Sequence, residues 1–264
     1  MSLLVVYVVP EGLLFAADRN LSRAGRTSGE TTAKVLDIDG VLVGYVGRAH
    51  VVGEAIDAWL RGFFDRHAGS PLRELGPALG EELEAAWSGR PEAERGTIIH
   101  LGGFEEGSDG SPLPVVWYVR DFEIQDDGRY AFIGGFEARD ELKQEGDPPY
   151  FRDATGNEVQ TCLRTQADPL PWAGFRQSFD LGVFSTLDGL LWPFLNALVA
   201  GLARERTHDP PSTLDEWEPF VKFSVYCYAA YFQAFYPPDQ QLVGGGVDLV
   251  SLPWPGESRS PNRM

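Results

Sequence analysis

At 264 residues the chain has room for one large domain with an ample core. Its 43% hydrophobic and 12% aromatic content argues against a disordered protein, and 39 acidic against 22 basic side chains, a formal charge of −17, argue against nucleic acid and membrane as partners. Two cysteines, Cys162 and Cys227, and four scattered histidines offer neither a disulfide framework nor a zinc-ligand spacing, so no metal and no cofactor is implied.

The first apolar run, residues 3–9, has no basic segment before it and reads as a strand rather than a signal peptide. Pro10-Glu11-Gly12 turns the chain into a second run, Leu13 to Ala17, giving a hairpin. Lys34 to Ile38, the turn dipeptide Asp39-Gly40 and Val41 to Val46 form another. Two helical patterns follow: Val51, Ala55, Ile56, Trp59, Leu60 and Phe63, then Leu75, Leu79, Leu83 and Trp87. Arg48 and His50 fall at the start of the first, and Glu81 to Glu84 form a solvated face of the second.

Strands are expected at 97–103, 114–119 and 129–134, and further ones near 158–165 and 177–184. Helices over 186–206 and 213–236 are split by Pro210-Pro211-Ser212-Thr213, with Ser212 or Thr213 as N-cap of the second. Asp188, Pro193 and Asn196 interrupt Leu187–Leu202, which is therefore no ordinary membrane span. The aromatic stretch Tyr226–Tyr236 reads as a core or subunit-contact helix rather than a ligand cage. A last strand over 243–252 closes a single domain, 1–252, and 253–264 is a disordered tail. Strands, two helices, strands, two helices and a strand define an α+β chain. Two antiparallel sheets between two helical layers would bury these faces, as would other α+β arrangements. The cytoplasm, a reducing compartment, is the expected location.

The chemistry rests on a spacing. Asp18 lies sixteen residues after Ser2, and Lys34 sixteen after Asp18. If Met1 is removed, Ser2 carries a hydroxyl and a free α-amine of reference pKa roughly 8, a base within reach of its own nucleophile. Lys34 nearby would disfavour a proton on that amine and lower the hydroxyl pKa, and Asp18 would orient Lys34.

These residues resemble a family. Gly12-Leu13-Leu14-Phe15-Ala16-Ala17-Asp18-Arg19 is similar to the G-V-V-L-A-A-D-S/T-R run of proteasome β-subunits and their bacterial relatives, N-terminal-nucleophile hydrolases. Lys34-Val35 resembles their lysine strand, Gly47-Arg48-Ala49 their S-G-x-A-x-D turn, and Gly245-Gly246-Val247-Asp248-Leu249-Val250 their final strand. The intervals from Ser2 to Asp18 and Lys34 equal those from the family's nucleophilic Thr to its Asp and Lys. The resemblance covers residues 2–65 well and 97–135 and the last strand less closely. It implies a four-layer αββα sandwich, Ntn-hydrolase or proteasome-like, that cleaves a peptide or other amide, forms a homo-oligomer and takes an unknown unfoldase as a possible partner. It also implies Gly47 N–H, at the entrance to the first helix, as the oxyanion donor. Substrate choice would come from Arg19 to Ser22, Tyr45 and the residues after Gly47.

The chain departs from the family at several points. Ser2 replaces Thr, and Asn20 stands where the A-D-S-R run has its arginine. The nearest candidates for the family's second cluster are Gly182-Val183-Phe184-Ser185, Gln240 and Val243, with Asp239 one position off. Two rival readings follow. One is a catalytically inactive structural or assembly subunit; the other is a small-molecule amidase with the same nucleophile.

Overall fold

The computed structural model describes residues 3–9, 11–23, 26–91, 96–107, 110, 112–124, 130–140, 213–241 and 243–256. The strands expected near 158–165 and 177–184, the helix over 186–206, the Gly182 to Ser185 segment and Ser2 itself lie outside these. Among the described residues the chain is a mixed α/β structure, mostly sheet, with three α-helices. No helix there is long and apolar enough to cross a membrane.

Strand β1 (Leu4–Val9) and strand β2 (Gly12–Asp18) pair antiparallel, Leu4 opposite Ala17 and Val9 opposite Gly12. Strand β12 (Val247–Pro253) pairs with the other side of β2, completing a three-stranded sheet. Every residue of β1 and β2 is buried, because the two faces of the hairpin meet different partners. Side chains alternate across a strand, so Leu3, Val5, Tyr7 and Val9 point one way. They pack with Leu14 and Ala16 against Trp217, Val221, Val225, Tyr228 and Phe232. Those last five lie on helix α3 (Leu214–Phe235), which the Thr213 side chain caps by accepting from the Glu216 N–H.

Leu4, Val6, Val8, Leu13, Phe15 and Ala17 point the other way. They meet Val35, Leu42, Val46, Ile98, Val116 and Tyr118 of a five-stranded sheet ordered β11-β10-β9-β6-β5. Its strands are β5 (Val35–Ile38), β6 (Val41–Gly47), β9 (Thr97–Glu106), β10 (Pro112–Ile124) and β11 (Tyr130–Asp140). Two glycines set the approach of the sheets. A Cβ at Gly44 would lie 2.7 Å from Leu4 Cδ1, and one at Gly102 2.6 Å from Phe15 Cζ. His100 lies between them on the same face and stacks on Tyr118, ring centroids 5.0 Å apart.

The opposite face of that sheet carries Val43, Tyr45, Ile99, Leu101, Val115 and Val119. It packs against helix α1 (Ile56–Arg66) through Leu60 and Phe63 and helix α2 (Leu72–Trp87) through Leu75, Leu79 and Leu83. At Gly76 the α2 backbone rests on the Trp117 ring, whose Nε1–H donates to Leu72 O at 2.9 Å.

The structure departs from the sequence reading at several points. The first helix starts at Ile56 rather than near Val51, because Val52 (φ 50°) and Gly53 (φ 89°) turn the chain between two-residue strands β7 (His50–Val51) and β8 (Glu54–Ala55). A hairpin of β3 (Asn20–Arg23) and β4 (Arg26–Thr31) fills the stretch between the first two expected hairpins. The last strand begins at Val247 rather than Val243, since Gly244, Gly245 and Gly246 take φ of 155°, 70° and 98°. It also includes Pro253, and the next residue, Trp254, is buried against Phe104 and donates its backbone N–H to Glu11 O.

Candidate active site

Asp18 ends β2, and Lys34 stands one residue before β5. Their side chains meet with Lys34 Nζ 2.9 Å from Asp18 Oδ1, at 1% and 0% exposure. The Asp18 carboxyl is saturated with donors. Oδ1 also accepts from Leu3 N at 2.8 Å, and Oδ2 accepts from Asn20 N at 3.1 Å and Gly244 N at 3.4 Å. Leu3 O in turn accepts from Asp18 N. The residue covalently preceding Leu3 is Ser2, which lies outside the described residues; Asp18 and Lys34 are brought together beside the start of the chain.

The Lys34 ammonium has a second acceptor, Asn20 O, at 2.5 Å. Asn20 is the node of the site. Its N–H is shared between Asp18 Oδ2 and Gly244 O, and its side-chain amide donates to Gln241 O. Gly244 and Gly245 pack against it so closely that a Cβ on Gly245 would lie 2.5 Å from Asn20 Oδ1, and Gly246 lies against Arg19. Arg19 N donates to Gly244 O and Gly246 O, and Arg19 Nε pairs with Asp248 Oδ2 at 3.0 Å, joining β2 to β12 beyond the end of the ladder. Of this framework the sequence offered the Gly-Gly-Val run, read there as strand, and Asn20, read there as a departure.

Burial controls the electrostatics. Loss of water pulls the Lys34 ammonium below an ordinary lysine pKa, opposed by the Asp18 charge. It pushes the Asp18 carboxyl above the ordinary range, opposed by Lys34 and by the backbone donors. The result is a lysine whose proton is loosened and whose position is fixed from two sides. Tyr45, expected to shape substrate choice, is instead buried behind the site. Its N–H donates to Lys34 O and its hydroxyl to Ala33 O at 2.9 Å.

Gly47 closes β6 opposite Thr97, with φ 98°. Only glycine fits there, since a Cβ would sit 2.0 Å from Gly96 O. It does not stand at a helix entrance; β7 and β8 intervene before α1. Gly47 instead lines an open cleft of about 510 Å³ with Leu21, Arg48, Ala49, Val52 and Trp87 among its walls. Arg48 and His50 border this cleft rather than a helix start. Two of its lining residues stand near the site in sequence. Leu21 follows Asn20, the Lys34 acceptor, and Gly47 lies two residues beyond Tyr45, the Lys34 backbone partner.

Of the candidates for a second cluster, Asp239 is committed to an ion pair with Arg26 of β4 at 3.3 Å, Gln240 sits in a 3-10 turn, and Val243 is buried among apolar residues. Among the described residues no group of histidine, cysteine and carboxylate side chains could hold a metal ion.

No protein-family model matches the chain, and no curated protein matches it. Among solved structures it is similar to Anbu (ancestral beta-subunit) from Yersinia bercovieri, at 13% identity and a TM-score of 0.45, over 95% of this chain and 81% of that one.

Proposed function

We propose that the chain is a proteasome-type amide hydrolase that uses Ser2 as an N-terminal nucleophile after removal of Met1, with Lys34 and Asp18 as its supporting pair. The observation that carries this reading is the fully buried Asp18–Lys34 contact beside the Leu3 peptide. A buried ion pair is weak as a source of stability, because desolvating both ions offsets most of their attraction. One placed against the residue that follows Ser2 has a ready chemical use.

In that use the Ser2 α-amine takes the Oγ proton as Oγ attacks the amide carbonyl. Lys34 beside them favours the neutral amine, and the oxyanion forms toward the Gly47 backbone. The amine passes the proton to the leaving nitrogen as the C–N bond breaks, leaving an ester on Oγ. Water then adds to the ester, giving the carboxylic acid and restoring the hydroxyl.

The three stacked apolar clusters support a four-layer αββα arrangement, α3 on one outer face and α1 with α2 on the other, within a single domain. Exposed aromatics on α3, Phe223 and Tyr226 on one side and Phe235 near its C-terminal end, support assembly into a homo-oligomer. The test is an intact mass after exposure to a β-lactone or epoxyketone electrophile. The expected result is loss of Met1 and one adduct, absent from Ser2→Ala. Retained Met1 with no adduct overturns the reading and leaves a structural subunit of the same fold.

A further inference from the structure

We propose that Asp121 is a positioning residue whose buried carboxylate fixes the backbone against which Gly47 is set, and so aims the Gly47 N–H at the oxyanion. The proposal rests on the hydrolase reading for the oxyanion alone; the holding of the Gly47 backbone stands apart from it.

Asp121 belongs to β10 at a point where the ladders on both sides of that strand break. Pairing with β9 closes at Arg120 opposite Ile98, and the register with β11 shifts between Arg120 and Phe122. Breaks of this kind re-aim a side chain. One residue past the end of the β9 ladder, the Asp121 side chain takes over from the main chain. Its Oδ2 accepts from Gly96 N and its Oδ1 from Thr97 N, each at 3.0 Å. The residue is 1% exposed. Hydrogen bonds to an ionised acceptor are the strong ones, and two on successive N–H groups fix both peptide planes.

From Gly96 the constraint passes to Gly47. Gly96 O accepts from Arg48 N at 3.1 Å, and a Cβ on Gly47 would lie 2.0 Å from that same oxygen. The two backbones are in direct contact, both in the region that favours glycine, φ 110° at Gly96 and 98° at Gly47. Strand geometry gives the direction of the Gly47 N–H. Tyr45 N donates to Lys34 O, and N–H groups two residues apart on a strand face the same edge. The Gly47 N–H therefore points to the edge on which Lys34 stands, past the last β5–β6 pair, Val35 with Gly44. A donor to an oxyanion works by being fixed before the charge develops. Asp121 supplies that fixing from the far side of Gly96, without touching substrate.

The test compares the full chain with Asp121→Asn, which keeps the side chain's shape and turns one accepting oxygen into an NH2 donor. Trp117→Phe is the control: it takes a hydrogen bond from the same strand to Leu72 O and leaves Gly96 alone. Amide exchange at Arg48, followed by NMR, should quicken in Asp121→Asn about tenfold more than in Trp117→Phe, the scale of one hydrogen bond. Labelling by a β-lactone, followed by intact mass, gives a maximal rate and a half-saturating concentration. The maximal rate should fall about a hundredfold in Asp121→Asn, as for a group displaced by about 1 Å, with the half-saturating concentration little changed. Trp117→Phe should lower the melting temperature and keep the rate. Gly96→Ala disturbs the same link through φ alone, since its Cβ meets nothing within 4 Å. It should repeat both effects, and it decides the matter if Asp121→Asn does not fold. Arg48 exchange no faster than in the control, or a maximal rate that matches the control, overturns the proposal and leaves the hydrolase standing. Faster Arg48 exchange in a chain that takes no label at all removes the hydrolase and keeps Asp121 as the holder of the Gly47 backbone.

Discussion

Lys34 and Asp18 hold each other in a space from which water is excluded, 2.9 Å apart at the mouths of two strands that belong to different sheets. The pair thereby ties the sheets together at the end nearest the start of the chain.

Removing one partner should therefore cost far more than removing both. Lys34→Met leaves the Asp18 carboxyl buried with backbone donors alone, and a loss of about 3–5 kcal/mol is expected. The double variant Asp18→Asn/Lys34→Met should lose less than the sum of the two single changes. Urea unfolding of the four proteins checks this, and additive losses would contradict the coupling.

Gly245→Ala should damage both stability and the site, because the new methyl must displace the Asn20 side chain at a backbone φ of 70°. Gly256 has a similarly positive φ, 94°, but nothing within 4 Å of an added Cβ. Gly256→Ala should thus show only the backbone penalty, on the order of 1 kcal/mol. Comparing the two melting curves isolates the contribution of the Asn20 contact.

His100 sets an acid limit. Complete burial between the sheets lowers its pKa from 6.5 to about 3. The unfolded chain binds a proton as pH falls through about 6.5, whereas the folded chain resists until about 3. Stability from this group is therefore full above 6.5 and declines as the solution is acidified, by up to about 1.4 kcal/mol per pH unit. His100→Phe should flatten that part of the profile. Urea midpoints at pH 7, 5 and 4 for both proteins supply the comparison.

Trp217→Phe should cost about 1.5–3 kcal/mol beyond the change in volume, since Trp217 Nε1–H donates to the buried Glu11 carboxyl at 2.8 Å. Trp217→Phe combined with Glu11→Gln should recover part of it, as read by denaturant titration.

What could be read from the chain followed locality. The apolar run of β1, the Asp39-Gly40 turn and the Thr213 cap are decided by neighbours in sequence, and each appears in the structure. The Asp18–Lys34 meeting was legible because the resemblance fixed its spacing. Val52 defeated the helix pattern, since apolar spacing carries no information about a strained φ. The three glycines, and the contacts of Asn20 with them and with Gln241, escaped for another reason: they join residues far apart in the chain, as in Gly244 N to Asp18 Oδ2, and no local period encodes such a contact. The longer reach of β10 and β11 takes in polar residues such as Arg120, Asp121, Glu137 and Arg139, which interrupt an apolar pattern without ending a ladder.

Synthesis gives the Asp18 carboxyl its donors in two instalments. Leu3, Asn20 and Lys34 emerge from the ribosome well before Gly244, which arrives just ahead of β12. Closing that loop costs entropy that only the finished sheet repays. A chain that stops short of Gly244 thus carries the other polar groups of the site without their lock, which the glycine turn supplies only when it is made.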